Sequence, residues 1–178
     1  MTVPPDWADG IDGAAASDAF GLLTLDVPAE QWVDAASRAR DAGLTFFDWL
    51  SAVDELDDGF RVVLHVADLT NHQRILLRTL IPRAAPRLDS LAAVYAGAAW
   101  HERETAEMFG IDFTGHPGLQ PLLLPDGFEG NPLRKEFLLQ ARQDKPWPGA
   151  KEPGESDADL ASPRRKRRPT PPGVPAAP

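Results

Sequence analysis

Three side chains in the second half of the chain have the types and spacing for acid–base chemistry. Glu102 and Glu104 lie in the charged run W-H-E-R-E-T-A-E-M-F, and His116 follows a few residues later. Carboxylates and a histidine in one site can exchange protons with a bound substrate. However, two helical residues that are two positions apart face different directions. A free-standing acid–base or metal-dependent enzyme that uses these three residues is therefore only the second hypothesis.

The sequence offers few ligands for a metal ion or a redox cofactor. The histidines show no spacing typical of a metal site, where zinc needs three or four converging ligands; they are His65, His72, His101 and His116. The chain has no cysteine, which excludes disulfides, cysteine nucleophiles and Cys-ligated zinc or iron–sulfur clusters. We therefore predict no catalytic, cofactor-binding or metal-binding residue in this chain.

The charge distribution argues against nucleic acid as a partner. The chain of 178 residues has a formal net charge of -9, and the tail from Pro163 contains five basic and no acidic residues, which leaves -14 on the rest. An acidic body repels nucleic acids and anionic membranes. No apolar run approaches the roughly 20 residues that cross a bilayer. The first 12 residues do not have the pattern of a secretory signal.

The hydrophobic periodicity predicts an α+β fold with a single antiparallel or mixed sheet and helices packed on it. A narrow apolar face predicts a first helix between Pro28 and Gly43. Ser90 is a candidate N-cap for a second helix, and a charged helix follows from Ala98 to Phe109, with Gly110 as its stop. Apolar and β-branched runs predict four strands, at residues 20–27, 44–53, 60–69 and 73–81.

Composition divides the chain into four parts. Residues 1–17 are small, polar and acidic, and we predict a disordered lead-in. Residues 18–110 form the α+β domain. Residues 111–150, here called the arm, are rich in glycine, proline and leucine. Residues 151–178 are predicted to be a disordered proline-rich tail, and the basic run Arg164–Arg168 within it lacks the aromatic residues of a nucleic-acid patch.

The arm combines turn signals with large apolar side chains. It has no sustained helical or strand periodicity, yet leucines and phenylalanines recur along it. A structureless loop of this length is unusual inside a compact domain, and a disordered linker would be less apolar. We therefore expect an ordered, extended arm that packs partly on its own domain and partly on another chain. The alternative is an arm folded back wholly onto its own sheet.

The charged helix and the arm resemble the C subunit of NADH–quinone oxidoreductase, respiratory complex I. This family has a motif E-R-E-x-x-[D/E], two apolar residues, and then H-P-D-L-R-R-I-L. The matching residues here are Glu102, Arg103, Glu104, Glu107, Met108, Phe109, Gly110, His116, Pro117, Leu119, Leu122 and Leu123. Further on, the family's G-F-E-G-H-P-L-R-K-D-F is similar to Gly127–Phe137. Segment 145–155 is similar to the extension of actinobacterial members.

Several positions depart from the family pattern. Gly118, Gln120 and Pro121 replace an acidic and two basic residues, and Asn131 replaces a histidine. These changes remove charges that the family has available for ion pairs between subunits. The resemblance implies a subunit-interface motif with these members: Glu102, Arg103, Glu104, Glu107, Gly110, His116, Pro117, Leu119, Gly130, Pro132, Leu133, Arg134 and Lys135.

The resemblance also implies a function and a location. It implies a scaffold subunit in the peripheral arm of a proton-translocating enzyme, on the cytoplasmic side of the bacterial cell membrane. Its partners would be the other complex I subunits, especially those of the quinone site and the terminal cluster. The iron–sulfur clusters, FMN and quinone would be in those partners, and membrane association would be indirect. A related membrane-bound nickel–iron hydrogenase that uses the same module is the alternative within this class.

Overall fold

The computed structural model describes residues 5–138 and contains a mixed five-stranded sheet. Its strands are β1 (Ala15–Ala19), β2 (Leu22–Asp26), β3 (Phe46–Asp54), β4 (Phe60–Asp68) and β5 (Gln73–Ile81). They are arranged in the order β1-β2-β5-β4-β3, with β2 parallel to β5 and every other pair antiparallel. The predicted fold class, α+β with a mixed sheet, is confirmed.

The N-terminal part of the described chain is more regular than predicted. Asp6–Ala8 form a 3-10 turn, β1 begins inside the expected lead-in, and Ala8 and Ile11 are buried in the core. The prediction of disorder over residues 1–17 is therefore wrong for this part. Phe20 and Gly21 form a tight turn with φ of 56° and 72°, which makes β1 and β2 a hairpin. The predicted strand 20–27 thus begins two residues later.

Helix α1 (Trp32–Asp41) follows a 3-10 turn at Ala29–Gln31, directly after Pro28. Proline suits this entry because the first N–H groups of a helix have no internal partner. The predicted apolar face is confirmed, since Trp32, Ala35, Ala36 and Ala39 are all fully buried. Small alanine side chains allow the helix to approach the sheet closely.

Strands β3, β4 and β5 form an antiparallel meander that matches the predictions within two residues at each end. Alternate residues of β5 are buried, which agrees with the period of two in its sequence: Ile75, Leu77, Thr79 and Ile81. The nearly continuous apolar run of β4 is typical of a strand buried on both faces, and the structure shows this only in part. Its second face holds the half-buried Arg61 and His65 next to the buried Val63.

The region after β5 differs most from the sequence prediction. Residues 91–97 form turns, so the predicted helix that starts at Ser90 is wrong. The Ser90 hydroxyl accepts the Ala92 N–H at 3.1 Å, and a glutamate from a later helix accepts the Leu91 N–H. Within residues 91–97, only one bond of helical spacing follows, from the Tyr95 N–H to Leu91 O at 2.8 Å. Two short strands, β6 (Arg87–Asp89) and β7 (Asp112–Thr114), pair in parallel and were not predicted.

The second helix, α2 (Ala98–Phe109), packs beside β3, and the arm begins directly after it. Its observed range equals the predicted charged helix. The described part of the arm runs from residue 111 to 138 and contains β7, so the arm is less irregular than expected at its start. The rest of the predicted arm, and the predicted tail, lie outside the described residues.

Candidate interface site

Helix α2 ends at Gly110, and side chains of the arm lie close to this glycine. Gly110 has φ of +70°, and its N–H donates to Ala106 O at 2.8 Å. This is the single-bond left-handed cap. A Cβ at Gly110 would lie 2.6 Å from Arg134 Nη2 and 2.8 Å from Asn131 Oδ1. Glycine is therefore required both by the backbone angle and by the approach of the arm.

Arg103 holds the arm through its guanidinium group. Its Nε donates to Gln120 O at 2.9 Å and its Nη2 to Pro121 O at 2.8 Å. The same guanidinium lies 5.3 Å from the ring centroid of Trp100, one turn earlier on α2. Arginine suits this role because its planar fork presents several donors in fixed directions. Arg103 and Glu107 are four residues apart, a spacing at which helical side chains can pair. They form no ion pair, because both groups bind the arm's backbone instead.

Glu107 binds three consecutive N–H groups of the arm. Its Oε1 accepts from Leu122 at 2.9 Å and Leu124 at 3.1 Å, and its Oε2 accepts from Leu123 at 2.8 Å. Burial acts to raise the pKa of Glu107, but the three N–H groups and the nearby Arg103 outweigh it and lower the pKa. Glu107 is thus a carboxylate that fixes the backbone of an otherwise irregular segment.

The arm in turn caps the C-terminus of α2. The last carbonyls of a helix have no internal partners, and the arm supplies three donors. Asn131 Nδ2 donates to Glu107 O at 2.9 Å, Leu133 N to Met108 O at 3.1 Å, and Arg134 Nε to Phe109 O at 2.6 Å. Asn131, which replaces the family's histidine, is therefore part of the contact between helix and arm.

The far end of the described arm is fixed to the sheet at Asp54. This buried carboxylate accepts the Lys135 N–H and the Leu56 N–H, each at 2.9 Å, and forms an ion pair with Arg83. Burial acts to raise the pKa of Asp54, but these donors lower it overall. The guanidinium of Arg83 lies 4.8 Å from the Phe60 ring centroid. The sequence prediction missed Asp54, Arg83 and Phe60, because their partners are distant along the chain.

Glu102 and Glu104 lie on different faces of α2, as their spacing predicts. Glu104 is exposed, whereas Glu102 is fully buried. Glu102 accepts the Leu91 N–H at 2.6 Å and the Ser90 hydroxyl at 2.5 Å. Burial raises the pKa of Glu102. His116 lies beside Glu102, so the structure brings two of the three candidate acid–base residues together and leaves Glu104 apart.

The other members of the predicted interface motif have mixed exposure. Leu119 is half-buried against the core, Pro132 and Arg134 are partly buried, and Pro117 and Lys135 are exposed. Gly130 has φ of +93° and lies against Phe137, where a Cβ would be 3.0 Å from the ring. The motif therefore folds the described arm onto its own domain. Whether it also touches another subunit stays a prediction.

Large apolar side chains remain exposed along α2 and the arm. We call this set the arm surface: Trp100 (62% exposed), Leu123 (59%), Phe128 (41%), Leu133 (53%) and Leu138 (86%). Single exposed apolar residues are normal on proteins, but five within 39 residues of one helix and its following segment are a concentration. The backbone of this region is fixed while these side chains face solvent.

The described residues offer no metal cluster. Within residues 5–138, no group of three or more His, Asp or Glu side chains is placed to hold a metal ion. Three histidines are hydrogen-bonded instead: His65 to Asp48 at 2.8 Å, His101 to Leu50 O at 3.1 Å, and His116 to Ala99 O at 2.9 Å. In the same range no helix has the length and apolar character to span a bilayer.

These features define an α+β domain with a mixed sheet, whose charged second helix binds its own C-terminal arm. The family model described as "Respiratory-chain NADH dehydrogenase, 30 Kd subunit" matches residues 25–143, and the chain belongs to this family. The C subunit of the NADH-quinone oxidoreductase of Roseiflexus sp. (strain RS-1) is 41% identical over 140 residues, covering 76% of this chain and 79% of that protein. One of the corresponding C subunits of Rhizobium meliloti (strain 1021), numbered 2, is 35% identical, covering 81% and 82%.

Two solved structures are similar in fold. The trypsin-resistant fragment of Nqo5 is 27% identical, with a TM-score of 0.56, and the match covers 60% of this chain and 90% of that one. A chain of the membrane-bound sulfane sulfur reductase, an archaeal respiratory membrane complex, has a TM-score of 0.68 at 22% identity and covers 75% and 82%. This second likeness shows a common fold only.

Proposed function

We propose that this chain is a scaffold subunit in the peripheral arm of a proton-translocating NADH–quinone oxidoreductase. In this role it has no redox centre of its own and bridges the quinone-site subunit and the iron–sulfur subunits. The family membership and the names of the relatives support this proposal. The absence of cysteine from the sequence also supports it, because thiolates are the usual ligands of iron–sulfur clusters.

The observation that carries the proposal is the arm surface. Arg103 and Glu107 fix the backbone of residues 120–124, so this segment is ordered without a partner. Leu123 and Leu133 nevertheless are 59% and 53% exposed. Preorganised apolar groups of this kind lose little conformational entropy when a second protein covers them. The geometry therefore favours docking of another subunit on this surface.

Substitution of the arm surface tests the proposal in the assembled enzyme. We expect Leu123→Ser combined with Leu133→Ser to reduce the amount of this chain recovered with the cluster-bearing and quinone-site subunits by at least tenfold. Burying a leucine contributes about 1.5–3 kcal/mol, and each 1.4 kcal/mol is about tenfold in affinity. The thermal melting of the isolated chain should change little, because both side chains are already exposed.

The matched control is Leu69→Ser, which replaces a leucine that is 63% exposed in the turn after β4, away from α2 and the arm. This variant should assemble normally. Equal recovery of the double variant and the wild type would show that the arm surface does not dock a subunit. A stable chain that co-purifies with no partner in mild detergent would refute the scaffold role itself.

A second candidate is the equivalent subunit of a membrane-bound nickel–iron hydrogenase. The fold shared with the sulfane sulfur reductase complex is compatible with that module. The co-purifying subunits distinguish the two, since a nickel–iron subunit indicates the hydrogenase and NADH-binding subunits indicate the oxidoreductase. By contrast, a free-standing enzyme is not favoured, because Glu104 is exposed on one face of α2 while Glu102 is buried on another.

The same proposal includes a location on the cytoplasmic side of the bacterial membrane, reached through the other subunits. Membranes washed at high salt should retain this chain as long as the partner subunits remain. In a strain that lacks the partners, the chain should be recovered from the soluble fraction. Retention on membranes without any partner would contradict indirect attachment.

A further inference from the structure

A buried carboxyl group and a buried imidazole lie where the arm leaves the core, and the docking proposal uses neither. Glu102 is fully buried, and the side chain of His116 is 2% exposed. Glu102 Oε2 and His116 Nε2 are 3.9 Å apart. This distance is too long for a hydrogen bond, but a charge on either group strongly affects the other at this range.

The hydrogen bonds of His116 identify its protonation state. Its Nδ1 accepts the Gly118 N–H at 2.9 Å, so Nδ1 has no proton. Its Nε2 lies 2.9 Å from Ala99 O and therefore donates to that carbonyl. The imidazole is neutral in this arrangement. A protonated imidazole donates from both nitrogens, so it cannot keep the bond from Gly118.

Within the described residues, Glu102 is surrounded by hydrogen-bond donors, and His116 is the basic side chain beside it. The Leu91 N–H and the Ser90 hydroxyl both point at the carboxylate. His116 is the only basic side chain that pairs with Glu102 within the described residues. Burial raises the pKa of Glu102, while these two donors and His116 oppose the increase. An ionised Glu102 would therefore be stabilised most by an imidazolium at His116.

Other titratable groups on the neighbouring elements are occupied elsewhere or exposed. Arg87 pairs with Asp112 at 3.0 Å, and Asp89 is exposed at the end of β6. Burial raises the pKa of Tyr95 to about 12, so this residue does not titrate near neutral pH. On α2, three further groups bind other elements or face solvent, namely His101, Arg103 and Glu104.

We propose that the Glu102–His116 pair is a proton-sensitive latch that sets the turn at residues 116–118, where the arm turns towards residues 120–124. When the pair takes up a proton from water, His116 Nδ1 becomes a donor and loses the Gly118 N–H. Nε2 then moves from Ala99 O to the Glu102 carboxylate, from 3.9 Å now to a charge-assisted bond of about 2.8 Å. Residues 120–124 stay attached through Arg103 and Glu107. This inference concerns the chain alone and does not depend on the docking proposal.

A pH titration of the full-length isotope-labelled chain by NMR tests the latch. When His116 takes up a proton, its ring nitrogens should change from a neutral Nε2–H tautomer to the doubly protonated form. The protection of the Gly118 amide from hydrogen exchange should fall at least tenfold with the same midpoint. The Leu123 amide, held by Glu107, should keep its protection.

Two variants test whether the charge of Glu102 stabilises the protonated form of His116. Glu102→Gln removes the charge at nearly constant shape, so His116 should become protonated only at a lower pH than in the wild type. His72→Asn, a control in the turn before β5, should change neither the midpoint of His116 protonation nor the loss of protection at the Gly118 amide. The latch is wrong if His116 stays neutral down to pH 5. It is also wrong if the protection of the Gly118 amide does not fall at the midpoint of His116 protonation, or if the Leu123 amide loses protection together with Gly118. An unchanged midpoint in Glu102→Gln would also overturn it, and if that variant does not fold, the wild-type titration decides.

Discussion

Replacing Glu107 by alanine should detach the middle of the arm without unfolding the sheet. The carboxylate of Glu107 accepts three N–H groups, from Leu122, Leu123 and Leu124. These contacts join segments 15 to 17 residues apart in the chain. The described part of the structure shows no second acceptor for these three amides. Glu107→Ala therefore removes all three bonds at once.

The size of the effect follows from the exposure of the amides. A hydrogen bond to a charged group contributes about 1.5–3 kcal/mol when it is buried, but these amides are only partly buried and water can replace the lost acceptor. We therefore expect a total loss of about 2–3 kcal/mol in the free energy that holds residues 122–124, instead of the full sum of three bonds. Each 1.4 kcal/mol is tenfold, so exchange should accelerate roughly 30- to 100-fold.

Hydrogen exchange of the isolated full-length chain measures this directly. The amides of residues 122–124 should exchange faster in Glu107→Ala, while those of β4 and β5 should keep their rates. Glu104→Ala is a matched control, because Glu104 is an exposed glutamate on the same helix, and its exchange profile should equal that of the wild type. If Glu107→Ala leaves residues 122–124 as protected as before, the carboxylate does not hold the arm and the structural reasoning fails.

Two further predictions use the same contacts. Gly110→Ala should lower the free energy of unfolding in urea by about 1 kcal/mol more than Gly115→Ala. Both positions have positive φ, but only a Cβ at Gly110 displaces the Arg134 and Asn131 side chains, whose bonds to α2 contribute about 0.5–1.5 kcal/mol each. Equal losses would show that the arm does not constrain Gly110. The folded pKa values of Glu107 and Asp54 are lowered, so their stabilisation is complete above the ordinary carboxyl pKa of about 4 and is lost as pH falls through the lowered values. Protection of the Leu123 and Lys135 amides should therefore be constant from pH 7 to 5 and decrease only below about pH 4; a decrease already at pH 6 would contradict this assignment.

Much of the fold could be predicted because its signals are local. The period-two burial of β5 and the apolar face of α1 at Trp32, Ala35, Ala36 and Ala39 follow directly from residue spacing. Strand β1 could not be predicted in this way, since its sequence A-A-S-D-A has small side chains and no apolar alternation. The segment after Ser90 shows the opposite failure. Its spacing predicts a helix, but only one turn forms, in which the Tyr95 N–H donates to Leu91 O. The Ala98 N–H then bonds to Tyr95 O, three residues back instead of four.

The candidate site could be predicted by residue but not by contact. The charged helix, Gly110 and the ordered arm follow from residue types and from the family resemblance. Sequence spacing suggests that Arg103 and Glu107 pair with each other, whereas each binds backbone atoms 15 to 18 residues later. Carbonyl and N–H groups are present at every residue, so the sequence does not mark which ones a side chain will bind. This is why Asp54 and Arg83 were also missed.

The parallel pairing of β2 with β5 has a consequence for how the chain folds as it is synthesised. Leu23 pairs with Ile75, 52 residues later, whereas β3, β4 and β5 are joined by short turns. Local hairpins form quickly, and closing a long loop is slower because more chain entropy is lost. The hairpin of β1 and β2 leaves the ribosome first but must wait for β5 before it can join the sheet. We therefore expect the meander to nucleate the domain and the N-terminal hairpin to complete it.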